Sequence, residues 1–96
     1  MLVVSAIITA AAGKGDELEK AFVKLIPQIR EKEKGTLAFI PHRGLKDPSK
    51  FFVYEKYRAK EDLEAHAATP HMQEFGKAFA SLTTGRPEIT MYREVG

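Results

Sequence analysis

Phe51-Phe52-Val53-Tyr54-Glu55-Lys56-Tyr57-Arg58 decides how the rest of the chain is read. Aromatic and β-branched residues dominate it, which marks a strand. A strand in an antiparallel sheet with one wet face alternates apolar and polar side chains. This one does not: Phe51, Val53, Glu55 and Tyr57 fall in one phase, and Phe52, Tyr54, Lys56 and Arg58 in the other. Both faces carry large apolar groups, and both need cover. Glu55 stands out in the first phase, because burying a carboxylate amid Phe51, Val53 and Tyr57 is unfavourable unless something satisfies it.

Upstream, residues 36–43 (Thr-Leu-Ala-Phe-Ile-Pro-His-Arg) form a strand ahead of the Asp47-Pro48-Ser49 turn. Pro41 cannot donate to a ladder and suits a sheet edge. Before that strand, Leu18, Phe22, Leu25, Ile26 and Ile29 recur as one helical stripe. Asp16 with Glu19 predicts a capping box at the helix start. Gly35 predicts its stop, and Pro27 a kink or a break near residue 23. Residues 2–9 are an apolar, β-branched first strand. Downstream, residues 60–68 are helical by composition. Thr69 and Pro70 restart a helix as N-cap and first residue, with Met72, Phe75, Phe79 and Leu82 as its buried stripe. Gly85-Arg86-Pro87 ends that helix, and residues 89–94 form a closing strand.

The order β-α-β-β-α-β predicts an α+β, ferredoxin-like domain over residues 1–96, with helices on one face of a four-stranded antiparallel sheet. The first strand, like the central one, is apolar in both phases: Val4, Ala6 and Ile8 in one, Val3 and Ile7 in the other. The helix-free face is therefore expected to pack on a second copy, giving a homodimeric α+β barrel. The length fits, since a chain of 96 residues alone buries only about 60–65% of its unfolded surface.

Composition excludes several classes. The chain is 44% hydrophobic and 29% charged, which is globular rather than disordered, and it has no cysteine for a disulfide framework or a thiolate site. A formal charge of +2 with no basic stripe gives no footprint for nucleic acid. No run approaches the ~18 apolar residues of a membrane span, and Met1-Leu2-Val3-Val4 lacks the basic start of a secretion signal. The expectation is a cytoplasmic protein with no membrane partner.

The candidate chemistry is acid–base. His66 and His71 lie five residues apart across the Thr69-Pro70 restart, without the spacing or third ligand of a helical zinc pair, so no metal is expected. An imidazole titrates near neutral pH and can take a proton from an organic substrate. His66 follows the Glu55 strand on the next helix, so the two can converge as a catalytic pair, with Glu55 fixing the tautomer of His66. Aromatics including Phe39, Tyr57 and Phe75 can line a pocket for a flat molecule.

Three motifs extend this reading. Glu33-Lys34-Gly35-Thr36-Leu37-Ala38-Phe39 resembles the E-x-G-x-x-x-(Y/F) segment of the antibiotic biosynthesis monooxygenase family. Val53-Tyr54-Glu55-Lys56-Tyr57 resembles its V-x-E-x-(W/Y) strand, and Glu64-Ala65-His66-Ala67-Ala68-Thr69-Pro70-His71-Met72 is similar to its A-H-x-x-T-P-H block. The resemblance implies a dimeric α+β barrel and oxygenation of a quinol or related phenolic without flavin, metal or haem, dioxygen being the co-substrate. It implies His66 as proton acceptor and Glu55 as its partner, with Phe39, Tyr57, His71 and Phe75 shaping the substrate pocket. Tyr57, where the monooxygenases commonly have Trp, also resembles a relative that isomerises a small phosphorylated carbonyl compound. That activity needs a cation for phosphate, for which Arg43, Arg58 and Arg86 are candidates. The positions that haem-degrading relatives use hold Ala6, His66 and Gly76 here, which speaks against haem degradation. A dimeric small-molecule-binding protein without catalysis is the third possibility.

Overall fold

The computed structural model describes residues 1–96. The elements run β1 (Leu2–Ala10), α1 (Gly15–Lys32), β2 (Thr36–Arg43), β3 (Lys50–Tyr57), α2 (Lys60–Ala68), α3 (Pro70–Leu82) and β4 (Thr83–Arg93). The strands form one antiparallel sheet in the order β2-β3-β1-β4. Each of β1 and β3 is followed by a helical crossover that skips a neighbouring strand, which is the ferredoxin-like topology the element order predicts.

Register sets the two faces. Val4, Ala6 and Ile8 of β1 pair with Glu55, Val53 and Phe51 of β3, so all six share the face under the helices. Leu18, Phe22, Leu25 and Ile29 of α1 are buried against that face and form the core with Ala6, Ile8, Phe51 and Val53. The opposite face has no helix over it. Ile7, Ile40, Phe52 and Tyr92 are exposed there. No helix is long and apolar enough to cross a membrane.

Several local expectations hold. Thr69 Oγ1 accepts from the Met72 N–H at 3.3 Å, with Pro70 opening α3. Asp47 Oδ1 accepts from the Ser49 N–H and hydroxyl at 3.1 and 2.6 Å, closing the β2–β3 turn.

Three others are corrected. α1 runs through Pro27 without the break near residue 23. Pro27 and Val23 both lie on the exposed side of the helix, so water can satisfy the freed carbonyl while the buried stripe holds the opposite side. Asp16 and Glu19 do not cap α1: both accept from Arg43 Nη1, at 2.8 and 3.0 Å, and tie the helix start to the end of β2. β4 begins directly after α3 rather than at residue 89. Gly85-Arg86-Pro87 is a bulge inside it, between the Ile7–Glu88 and Thr9–Thr84 pairs. Gly85 takes φ +71° there, a conformation open to glycine, and Pro87 needs no ladder donor within a bulge.

A second bulge positions the site. Thr36 pairs with Tyr57 and Ala38 with Lys56, leaving Leu37 as an extra residue. Three residues apart, Thr36 and Phe39 would face opposite ways in a regular strand. The bulge turns both toward the helices, Thr36 opposite Tyr57 and Phe39 opposite Glu55.

Candidate active site

A cavity of about 220 Å³ opens between the helix-side face of the sheet and α3. Ala6, Ile8, Val53 and Glu55 form its floor, Phe39 one side, His66 another, and Met72, Phe75, Gly76 and Phe79 its roof, with Pro87 and Ile89 of β4 at the mouth. Glu55 and His66 are its only polar side chains, and no Lys or Arg lines it.

Sequence spacing accounts for this gathering. The phase of β3 turns Glu55 toward the helices. α2 is short, and α3 restarts at Pro70, so the last turn of α2 places His66 over the sheet. The His66 ring packs between Phe39 and Tyr57, with ring centroids 5.5 and 5.4 Å away.

The carboxylate bonded to His66 is not Glu55. It is Glu33, at the C-cap of α1, whose side chain is 5% exposed. His66 Nδ1–H donates to Glu33 Oε1 at 2.6 Å, Thr36 Oγ1 donates to the same oxygen at 2.6 Å, and His71 Nε2–H donates to Oε2. Burial pushes the Glu33 carboxyl up, but the hydrogen bonds from Thr36, His71 and His66 outweigh it and hold Glu33 below the usual glutamate value. With Nδ1–H committed to Glu33, a neutral His66 carries its free lone pair on Nε2. Nε2 has no protein partner, yet no buried side-chain nitrogen or oxygen is left unpaired, so Nε2 meets solvent at the cavity that His66 lines.

Glu55 has different surroundings. Its hydrogen bond comes from the hydroxyl of Tyr57, at 2.5 Å. Burial dominates and raises its carboxyl above the usual value. Burial, and next the charge of Glu55, push the Tyr57 phenol upward. Tyr57 therefore stays a neutral donor to Glu55.

Of the six predicted site residues, four line the cavity together: His66, Glu55, Phe39 and Phe75. Two do not. Tyr57 is fully buried at the end of β3, supporting Glu55 and His66 from beneath. His71, in the first turn of α3, faces a separate groove between α1 and α3. Restarting at Pro70 turns it away from the sheet and toward Glu33. The proposed direct bond between Glu55 and His66 is likewise absent, Tyr57 and Glu33 being their respective partners. The arginines considered for phosphate are engaged elsewhere or lie outside the walls. Arg43 pairs with Asp16 and Glu19, Arg58 with Asp62, and Arg86 is exposed in the β4 bulge.

Glu33 is the residue that charge patterning overlooks. It sits in Arg30-Glu31-Lys32-Glu33-Lys34, an alternating run typical of a solvated helix end. The usable signal is its place two residues before the Gly35 stop, where the chain turns back across the sheet.

The family described as antibiotic biosynthesis monooxygenase matches residues 1–78. Among solved structures, the protein PA3566 from Pseudomonas aeruginosa is 28% identical, with 99% of this chain and 94% of that one covered and a TM-score of 0.89. A structure described as antibiotic biosynthesis monooxygenase is 22% identical, with both chains covered to 100% and a TM-score of 0.90. A conserved protein from Methanosarcina mazei is 21% identical, with 98% and 92% covered and a TM-score of 0.88. The two lower identities speak to fold alone. No curated protein matches the sequence.

Proposed function

The chain belongs to the antibiotic biosynthesis monooxygenase family, and from that premise we propose that it oxygenates a quinol or related phenolic aromatic, using dioxygen and no organic or metal cofactor. The observation that carries this reading is the cavity itself: an apolar slot lined by Phe22, Phe39, Phe75 and Phe79 whose only polar side chains are an imidazole with a free nitrogen and a carboxyl of raised pKa. Such a site accepts a flat, weakly polar molecule and offers it one base.

In the proposed mechanism, His66 Nε2 takes the phenolic proton. The electron-rich phenolate passes one electron to dioxygen, and the resulting radical pair joins to form a carbon–oxygen bond. The peroxide takes the phenolic proton back from His66, restoring the neutral imidazole. Loss of the C–H proton at that carbon then expels water as the O–O bond breaks, leaving a carbonyl. Overall, a phenol bearing a ring C–H plus O₂ gives a quinone plus water. Glu33 stabilises the imidazolium formed in the first step, and the apolar walls exclude bulk water from the peroxide. Glu55, protonated more readily than an ordinary glutamate, is suited to donate to the substrate's second oxygen.

A phosphorylated carbonyl substrate fits less well, because the walls hold no cation for its phosphate. We also propose that a second copy covers the helix-free face. The support is the group of exposed Ile7, Ile40, Phe52 and Tyr92 on that face. Sedimentation at micromolar concentration should give twice the chain mass, and a monomer would remove this part of the reading.

Oxygen uptake with a panel of reduced quinones and naphthols tests the chemistry. The expected result is uptake matched by quinone formation, falling about a hundredfold or more in His66→Ala. Binding of these compounds with no oxygen consumed would leave a binding protein. Turnover of a phosphorylated dione instead would establish the isomerase.

A further inference from the structure

Glu33 is one buried carboxylate shared by two buried imidazoles that open to different places. His66 faces the cavity under the sheet. His71 faces a groove of about 180 Å³ on the other side of α3, beside Lys24 and Gln28 of α1 and Glu74 of α3. Each ring gives one N–H to Glu33, and the second nitrogen of each has no protein partner. Because no buried polar side-chain atom is unpaired, both of those nitrogens reach solvent, His66 Nε2 on the cavity side and His71 Nδ1 on the groove side.

One negative charge can neutralise one imidazolium. Two imidazolium ions on a single carboxylate would leave a net positive charge inside the protein, where charges are poorly screened. The other titratable neighbours do not change this count. Toward His66 they are Glu55, with its raised carboxyl, and Tyr57, a neutral phenol; toward His71 they are the solvent-facing Lys24 and Glu74.

We propose that His66 and His71 hold one proton between them through Glu33, so that a proton taken by His66 at the cavity is matched by one released from His71 into the groove between α1 and α3. One ring at a time pairs its positive charge with Glu33; while that ring is His71, His66 Nε2 is free as a base. When the substrate proton binds His66 Nε2, Glu33 pairs with His66 instead, and His71 Nδ1–H yields its proton to water in the groove. No proton crosses Glu33, and one enters for each that leaves. His71 is thus a positioning residue, acting on the substrate only through His66. The proposal rests on His66 being the base, but the sharing itself is a property of the substrate-free protein.

Nitrogen-15 NMR of the imidazole rings, followed through a pH titration without substrate, tests it. In the wild type the rings should titrate as a coupled pair, the second proton binding about one pH unit or more below the first. In His71→Gln, which keeps a donor to Glu33 but cannot ionise, His66 should protonate about one pH unit higher, having the carboxylate to itself. In Glu33→Gln the coupling should disappear. Independent titration of the two rings in the wild type, a measurement that needs no variant, would overturn the proposal. So would an unchanged His66 midpoint in a folded His71→Gln. Coupled rings in a protein that oxidises no phenol would leave the sharing intact and remove the function; turnover with uncoupled rings would do the reverse. If both hold, the acid limb of the kcat/KM profile moves up with His66 in His71→Gln, a change that a merely structural His71 would not produce.

Discussion

Glu33 and Glu55 both have His66 as an electrostatic neighbour, and both lie in the interior, yet they are held in opposite directions. Glu33 receives three hydrogen bonds, from Thr36, His66 and His71, and its pKa is lowered. Glu55 receives one, from Tyr57, amid apolar walls, and its pKa is raised. Burial penalises the charge of each. What separates them is the number of donors aimed at the carboxylate. His66 thus lies between a carboxyl that ionises more readily than usual and one that protonates more readily than usual.

Glu33→Gln attacks the comparison hardest. Glutamine keeps one acceptor but points an N–H₂ group at a donor, so two buried imidazoles lose their anion. Urea denaturation near neutral pH should show a loss of about 3 kcal/mol. The sign with pH follows from the lowered value. Glu33's stabilisation is complete above the ordinary glutamate pKa of about 4.3 and is lost as pH falls through its folded value, so the gap between wild type and variant should close on acidification.

Glu55→Gln should act in the other sense and more weakly. The raised pKa means that ionised Glu55 destabilises the fold above its folded value, a penalty that protonation removes. The variant should be more stable than wild type by about 1 kcal/mol at alkaline pH, with the difference vanishing as pH falls. It should also slow any phenol oxidation. If the two glutamine variants moved stability in the same direction at neutral pH, the contrast between the carboxylates would be broken.

Thr36→Val gives the smallest change and the finest test. It removes one of the three donors to Glu33 at nearly constant shape, which should lower stability by about 1 kcal/mol. The Glu33 carboxyl, followed by carbon-13 NMR, should titrate closer to an ordinary glutamate. An unmoved titration would assign the lowered value to the histidines alone.

Much of this was legible in the chain. Helical periodicity at Leu18, Phe22, Leu25 and Ile29 and the dense β pattern of residues 51–58 dictate the element order, and the order dictates the topology. The phase of Glu55 with Phe51 and Val53 groups a carboxyl with apolar residues, and His66 follows on the next helix, but both faces of the strand are apolar and only the packed helices show which one Glu55 occupies. Other features depend on events that local patterns do not encode. The Leu37 bulge turns Thr36 and Phe39 to the same side, against a period of two. Gly85-Arg86-Pro87 has loop composition but is held in a strand by β1. Pro27 is tolerated because it faces water, which only the packed helix reveals. Glu33 hides in a charge run, and its role emerges once partners 33 and 38 residues away are folded onto it. The E-x-G-x-x-x-(Y/F) segment that begins at Glu33 marked that position, although the alternating charges around it pointed to solvent.

Those two separations bear on how long the folded state lasts. The Glu33 cluster joins the end of α1, the start of β2, the last turn of α2 and the first turn of α3. Its two histidine hydrogen bonds need both later helices docked, so they are expected to form late in folding, outside the nucleus. An interaction formed after the rate-limiting step leaves the folding rate largely alone and slows unfolding. In Glu33→Gln the unfolding limb of the chevron should therefore rise while the folding limb stays in place. The carboxylate that joins the two imidazoles is then also a latch on the lifetime of the native state.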